Sequence, residues 1–486
     1  MIQAKSCIQS LSLTFICLML FSCSNKAKIY SAEIKNAENN TEEIRPNILL
    51  INIDDMGWRD VGFMGSEYYE TPNLDALAAE GMIFTNAYAS ASNCAPSRAN
   101  MMSGQWPQRH GIYTVSPSAR GKSSTRKLVP TKNNDYIPVD NILIPEVLKE
   151  AGYVTCHAGK WHLNDDPTTK GFDVNIGGNH SGNPGSYYPP YKRVPSLTAP
   201  SDDYYLTNLI MDKTLDFLNS VKDQAFFLYY SPYAVHAPIQ PYKELLAKYE
   251  NKPEWNGQNN AKYATMVENL DTQIGRMIAR LKESGQLENT FILFISDNGG
   301  HYKFTKQWPL RSGKGAYYEG GIREPMFAYW KGNIPAGTKS ETPISNLDFY
   351  PTILEVAGVS KPVGKVLDGQ SILPLLTNQS EMDSRPLYWH FPIYLAAYVK
   401  NDTTTFDPLF RTRPGSAIRY GDWKLIQYFE NNDIELYNLK EDLSEQNNLA
   451  QSNPEKADEL LGMLEKWREE TNAPVPTELN PKYQSN

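Results

Sequence analysis

Between Asn47 and Ile53 the chain reads Asn-Ile-Leu-Leu-Ile-Asn-Ile and then meets Asp54-Asp55. A run with so little polar interruption is what a central parallel strand requires, because helices cover both of its faces and neither meets water. Similar runs at Ala225 to Tyr230 and Phe291 to Ile295 are separated by helical patterns, notably Asp202 to Val221 and Ala261 to Ser284. Thr71 to Gly81 reads as a complete helix, with a Thr cap, Pro72 at the first position and Gly81 at its end. This alternation predicts an α/β fold with a mostly parallel central sheet flanked by helices. Open sheets of this kind bind ligands beyond the carboxyl ends of their strands. Asp54-Asp55 and Asp297-Asn298 fall at such ends, and His236 follows shortly after another.

After about Asn378 the pattern shifts to short strands: Leu387 to Phe391, Ser416 to Tyr420, Trp423 to Tyr428 and Ile434 to Leu439. A helical stretch follows, from Pro454 to Glu470. The reading is a catalytic domain over 46–378 and a smaller C-terminal α+β domain of antiparallel sheet and helix over 379–486, as a chain of 486 residues allows. At the other end, Lys5 and the apolar run Leu11 to Phe21 form a targeting segment too short to span a bilayer comfortably. It ends in Leu20-Phe21-Ser22-Cys23, which resembles the bacterial lipobox. That resemblance implies a signal peptide over 1–22, lipidation of Cys23, a polar tether over 23–45 and residence in the cell envelope, attached to membrane through lipid only. The other reading is a plain secretory signal and a periplasmic protein. A net charge of −8 excludes a general nucleic-acid binder, so an anionic substrate would need a local basic pocket.

Of the five cysteines, Cys7 and Cys17 leave with the signal and Cys23 would carry lipid. Cys94 and Cys156 remain. They either form one disulfide in an oxidising compartment, or Cys94 is modified and Cys156 stands alone.

The segment Cys94-Ala95-Pro96-Ser97-Arg98, ending in Ser103-Gly104, resembles the C-x-P-S-R signature of the type I sulfatases, of alkaline-phosphatase-like fold. The resemblance implies that Cys94 is oxidised to formylglycine (3-oxoalanine) by a formylglycine-generating enzyme or an anaerobic maturase. Hydration of that aldehyde places two hydroxyls on one carbon: one attacks sulfur and the other expels sulfate. It further implies a metal bound by Asp54, Asp55, Asp297, Asn298 and the modified Cys94. Oxygen-only donors suit Ca²⁺, with Mg²⁺ second, rather than zinc. Gly159-Lys160-Trp161-His162-Leu163 matches the family's G-K-W-H-L segment, and Asn164 departs from its usual Gly. By resemblance Lys160 helps hold the formylglycine and sulfate, and His162 contacts the nucleophile and is a candidate base for sulfate release. Their spacing puts both on one face if the segment is extended. His236 in Tyr233 to Pro238 is the candidate acid for the leaving alcohol, and Lys314, between Arg311 and Pro325, is expected on sulfate. Arg98, Lys160 and Lys314 together supply the basic pocket.

Other residues carry weaker signals. His180 lies in a Gly, Asn and Tyr-rich loop with Tyr187 and Tyr188, a setting that shapes substrate sites. His301, following the metal motif, either backs a metal ligand or faces substrate, His110 reads as structural, and Trp389, His390, Arg411 and Arg413 are candidates to reach the pocket from the C-terminal domain. The expected activity is hydrolysis of sulfate esters on a carbohydrate, with sulfated algal polymers such as ulvan or carrageenan ahead of glycosaminoglycans. The residues Gly171 to Pro189 resemble sulfatases of polysaccharide-degrading Bacteroidetes-type bacteria. The alternatives are a phosphate or phosphonate ester hydrolase of the same superfamily and a non-catalytic glycan-binding lipoprotein.

Overall fold

The computed structural model describes residues 45–484, and the predicted signal peptide, Cys23 and all but the last residue of the tether lie outside them. From Pro46 onward the chain packs as one compact unit. Its centre is an eight-stranded sheet. In chain order the strands are β1 (Asn47–Ile53), β2 (Met82–Phe84), β3 (Val154–Gly159), β4 (Val174–Ile176), β5 (Phe226–Ser231), β6 (Thr290–Ser296), β7 (Met326–Tyr329) and β8 (Thr338–Ser340). Their spatial order is β4-β3-β5-β1-β6-β7-β2-β8. The first five in that order are mutually parallel, and β7 runs antiparallel to both neighbours.

The apolar run of β1 does what its composition demands. Leu49, Ile51 and Ile53 enter one core and Ile48 and Leu50 enter a second on the opposite face, all at most 1% exposed. The first core holds helices α1 (Pro72–Ala79), α3 (Leu206–Ser220) and α4 (Ala261–Glu283), and the second holds α2 (Cys94–Ser103) and α5 (Phe349–Val356). Three layers result, each buried aliphatic side chain contributing about 1.5–3 kcal/mol. The C-terminal sheet is antiparallel and four-stranded, β9 (Leu387–Phe391), β10 (Gly415–Tyr420), β11 (Trp423–Tyr428) and β12 (Asp433–Asn438). Helix α6 (Pro454–Thr471) packs on it through Leu460, Leu464 and Trp467. No helix among the described residues is long and apolar enough to cross a membrane.

One local expectation is corrected. Thr71 makes no side-chain cap on α1; its hydroxyl accepts from Gly62 N–H at 2.7 Å and donates to Asp75 at 2.9 Å. The helix start is satisfied from a distance instead. Asp271 on α4 accepts from the N–H groups of Asn73 and Leu74 at 3.2 and 2.8 Å, placing a carboxylate at the positive end of the helix dipole.

Candidate active site

Register builds the centre. Ile53 of β1 pairs with Ser296 of β6, so the next residues along each strand, Asp54-Asp55 and Asp297-Asn298, leave the sheet side by side. Asp55 turns with φ 61°, its N–H donating to Asp297 Oδ1 at 3.2 Å and its Oδ1 accepting from Asn298 Nδ2 at 2.9 Å. Helix α2 begins over this cluster with Cys94, whose Sγ lies 3.5 Å from Asp54 Oδ1 and 3.6 Å from Asp55 Oδ1. Arg98, one turn further along, shares that face. Its Nε donates to Asp297 Oδ2 at 2.8 Å and its Nη1 to Lys160 O at 2.9 Å and to Ser231 Oγ.

The basic pocket predicted from sequence is present and buried. Lys160, just past β3, donates from Nζ to both oxygens of Asp54 at 2.8 Å. Lys314 Nζ reaches Asp55 Oδ1 and lies 2.9 Å from Cys94 Sγ. Burial pushes the Cys94 thiol up to about 12, although Lys160 and Lys314 pull the other way. An unmodified Cys94 is therefore a neutral thiol, a poor nucleophile. Burial also opposes ionisation of Asp55, yet Lys314, with His236 and Lys160, holds its carboxyl well below the usual carboxylate range. The same burial raises Asp54, against the pull of Lys160.

His236 arrives on the turn after β5, tied to the centre by Val235 N–H donating to Asp54 O at 3.0 Å. Its Nδ1 faces the Ala237 carbonyl at 2.7 Å and its Nε2 stands 3.5 Å from Asp55 Oδ2. The carbonyl fixes the proton on Nδ1. Burial lowers the imidazole to about 4, Asp55 opposing, so in the neutral ring an Nε2 lone pair confronts a carboxylate oxygen. That Asp55 oxygen and the Oδ1 of Asn298 are buried without a hydrogen-bond donor among the described residues. Asp54, Asp55, Cys94 and His236 present donor atoms within 4.8 Å of one another. Orphaned oxygens beside a carboxylate pair fit a hard cation, with Asp297 and Asn298 flanking the same position.

Three expectations change. Lys160 and His162 do not share one face of an extended run, because His162 takes φ 68° and breaks the alternation. His162 is buried with Nδ1 unpartnered, and its ring stands edge-on to His180 at 6.0 Å. Tyr187 is fully buried; its hydroxyl lies 2.5 Å from Tyr233 O and 2.8 Å from His236 O, sharing its one proton between them, so it fixes the His236 turn rather than facing a ligand. Arg413 is held by ion pairs to Asp407 and Glu430. His180 is half-buried, stacked on Tyr136 at 4.4 Å. His301 stacks on Tyr398 at 3.6 Å beside the cluster. His110 is buried against Asn100 at 2.8 Å, as a structural histidine would be, and His390 is buried on Ser416. Cys94 and Cys156 are both free, so no disulfide joins them. Sequence reasoning missed Ser231, which anchors Arg98, although it ends strand β5 exactly where the strand-end rule points.

The sulfatase family model matches residues 46–359, and that of the N-sulphoglucosamine sulphohydrolase C-terminal region matches 312–472. The chain is 32% identical to a sulfatase of Formosa agariphila over 94% of each chain. It is 35% identical to human N-acetylgalactosamine-6-sulfatase, covering 71% of this chain and 68% of that one. A crystal structure of Ps i-CgsB in complex with k-i-k-neocarrahexaose superposes with TM-score 0.71 at 31% identity, over 87% of this chain and 92% of that one.

Proposed function

This chain belongs to the sulfatase family and is a sulfuric ester hydrolase, and we propose that it removes sulfate from a sulfated carbohydrate through a formylglycine made from Cys94 and a calcium ion. The observation that carries the reading is the setting of Cys94. It is a buried neutral thiol at the start of a helix, between two carboxylates and the Lys314 ammonium. Conversion to a hydrated aldehyde replaces a sluggish thiol with an oxygen nucleophile that also carries a second hydroxyl for release.

Asp54, Asp55, Asp297 and Asn298 would hold the metal, which when bound would supply Lewis acidity to the ester and to a nearby hydroxyl. The charges of Asp54, Asp55 and Asp297 balance those of Arg98, Lys160 and Lys314. A bound divalent cation leaves the pocket positive, as an anionic ester requires despite the net −8 of the chain. Lys160 and Lys314 would bind sulfate oxygens, and Arg98 holds Asp297 and the Lys160 backbone in place. His162 would lie against the nucleophile. To serve as acid, His236 must carry its proton on Nε2, because Nδ1 already donates to Ala237; Asp55 is the group favouring that proton.

The carrageenan oligosaccharide bound by the similar crystal structure supports an algal polymer as substrate, and the human relative's galactosamine sulfate keeps glycosaminoglycans as the second class. The lipobox-like Cys23 supports a lipid-anchored envelope protein, and maturation would need a formylglycine-generating enzyme or anaerobic maturase. Sulfate release from a panel of sulfated oligosaccharides, read by mass spectrometry, tests the activity. The wild type is expected to desulfate at least one and Cys94→Ala none; equal release by both would overturn the role of Cys94.

A further inference from the structure

Exposure grades the site from floor to mouth. Asp54, Arg98 and Lys160 are sealed, whereas Lys314 is 5% exposed and His236, His301 and Tyr398 are half-open. Beside Lys314, and nearly as buried at 7% exposed, stands Arg411. Its Nη1 donates to the Lys314 carbonyl at 3.1 Å and its Nε to Ala396 O at 2.8 Å. Its guanidinium lies 3.4 Å over the ring of Tyr398, which stacks in turn on His301. Gly315 makes room for it: φ is +91°, and a Cβ there would meet Arg411 Nη1 at 2.8 Å. Arg120 lies on another segment that runs beside the one carrying Arg411. Ala119 pairs with Tyr394, and Gly121 abuts Phe410, the residue before Arg411. Between them Arg120 donates to the carbonyls of Val115 and Ser116 at 2.8 and 3.0 Å.

Neither Arg120 nor Arg411 has an ion pair with a carboxylate among the described residues. They are close enough for Arg120 to disfavour the charge on Arg411, adding to burial. The nearby carboxylate, Asp55, is already paired with Lys314. Two cations on neighbouring segments, each held by backbone carbonyls and neither ion-paired to an acid among the described residues, are arranged for an anion supplied from outside.

We propose that Arg411 and Arg120, with the Tyr398–His301 wall, form a specificity subsite for a second anionic group on the sugar, a further sulfate or a uronate carboxylate, beside the ester cleaved. The proposal rests on the reading of the Cys94 cluster as the sulfate-ester centre. It makes the preferred substrate a polyanionic saccharide rather than one bearing a single sulfate.

The test compares kcat/KM of the matured full-length protein on matched oligosaccharides carrying the scissile sulfate alone, with a second sulfate, or with a uronate, and on 4-nitrophenyl sulfate. The wild type should favour one of the two dianionic sugars by about tenfold or more, and the better arm identifies the anion. Arg411→Gln and Arg120→Gln should each shrink that preference, chiefly through KM. Because the two arginines sit on separate segments, Arg120→Gln carries the test if Arg411→Gln does not fold. No preference in the wild type, or variants that lose the mono- and dianionic substrates in equal proportion, would overturn the subsite. Absence of sulfate release from every substrate, 4-nitrophenyl sulfate included, would overturn the sulfate-ester reading and the subsite with it.

Discussion

Replacing Gly159 by Ala isolates one link between backbone geometry and the site. Gly159 ends β3 with φ +111°. A Cβ placed there would lie 2.1 Å from Ser231 O, 2.6 Å from its carbonyl carbon and 2.8 Å from Pro232 Cα. These are main-chain atoms of the neighbouring strand, so no side chain can swing aside, and relief to ordinary contact needs a shift of more than about 1 Å. The left-handed backbone costs about 1–2 kcal/mol for an L side chain, and overpacking adds about 1–3 kcal/mol. A loss of about 2–5 kcal/mol is expected. The functional loss should be larger than unfolding alone explains, because Ser231 O accepts the Lys160 N–H at 2.6 Å and Ser231 Oγ anchors Arg98. Urea unfolding of wild type and Gly159→Ala reads the first, and sulfate release under conditions where both stay folded reads the second. An alanine variant within about 0.5 kcal/mol of wild type and fully active would refute the close approach on which the placement of Lys160 rests.

Arg98→Met removes the partner of Asp297 and leaves buried carboxylates in excess. It should cost about 3–5 kcal/mol by chemical denaturation and abolish turnover. Burial lowers His110, His157 and His390 to about 3 each. Below pH 6.5 the unfolded chain binds protons that these folded imidazoles do not, so stability falls as pH drops from 6.5 toward 3. At pH 5 each group should account for about 2 kcal/mol, read as a smaller difference between urea midpoints at pH 7 and pH 5 in His390→Gln than in wild type. Chelation with EDTA should lower Tm and abolish sulfate release, and excess Ca²⁺ should restore both; an unmoved Tm would argue against a metal linked to folding. The Cys94 peptide of active protein should carry the mass of formylglycine, and finding only the thiol there would defeat the mechanism.

Much of this was legible in the chain because it is locally encoded. A continuous apolar run needs cover on both faces whatever follows it, so β1, β5 and β6 could be placed within a residue or two, and with them the polar strand ends that become the site. The motif around Cys94 pointed to the family to which the chain belongs. What only the tertiary structure decided are partnerships across long separations. Ile53 meets Ser296 through a register set by the whole sheet, which is why Asp54 and Asp297 become neighbours. The cap of α1 comes from Asp271 rather than Thr71, since a hydrogen bond answers to proximity and not to sequence order. Tyr187 and Arg413 read as substrate contacts, yet one is buried behind His236 and the other is held by two carboxylates. Arg411 carried the same faint signal as Arg413. Only the folded chain shows that it lies beside Lys314 with no ion pair to an acid among the described residues, because the neutralisation of a charge depends on what packs around it.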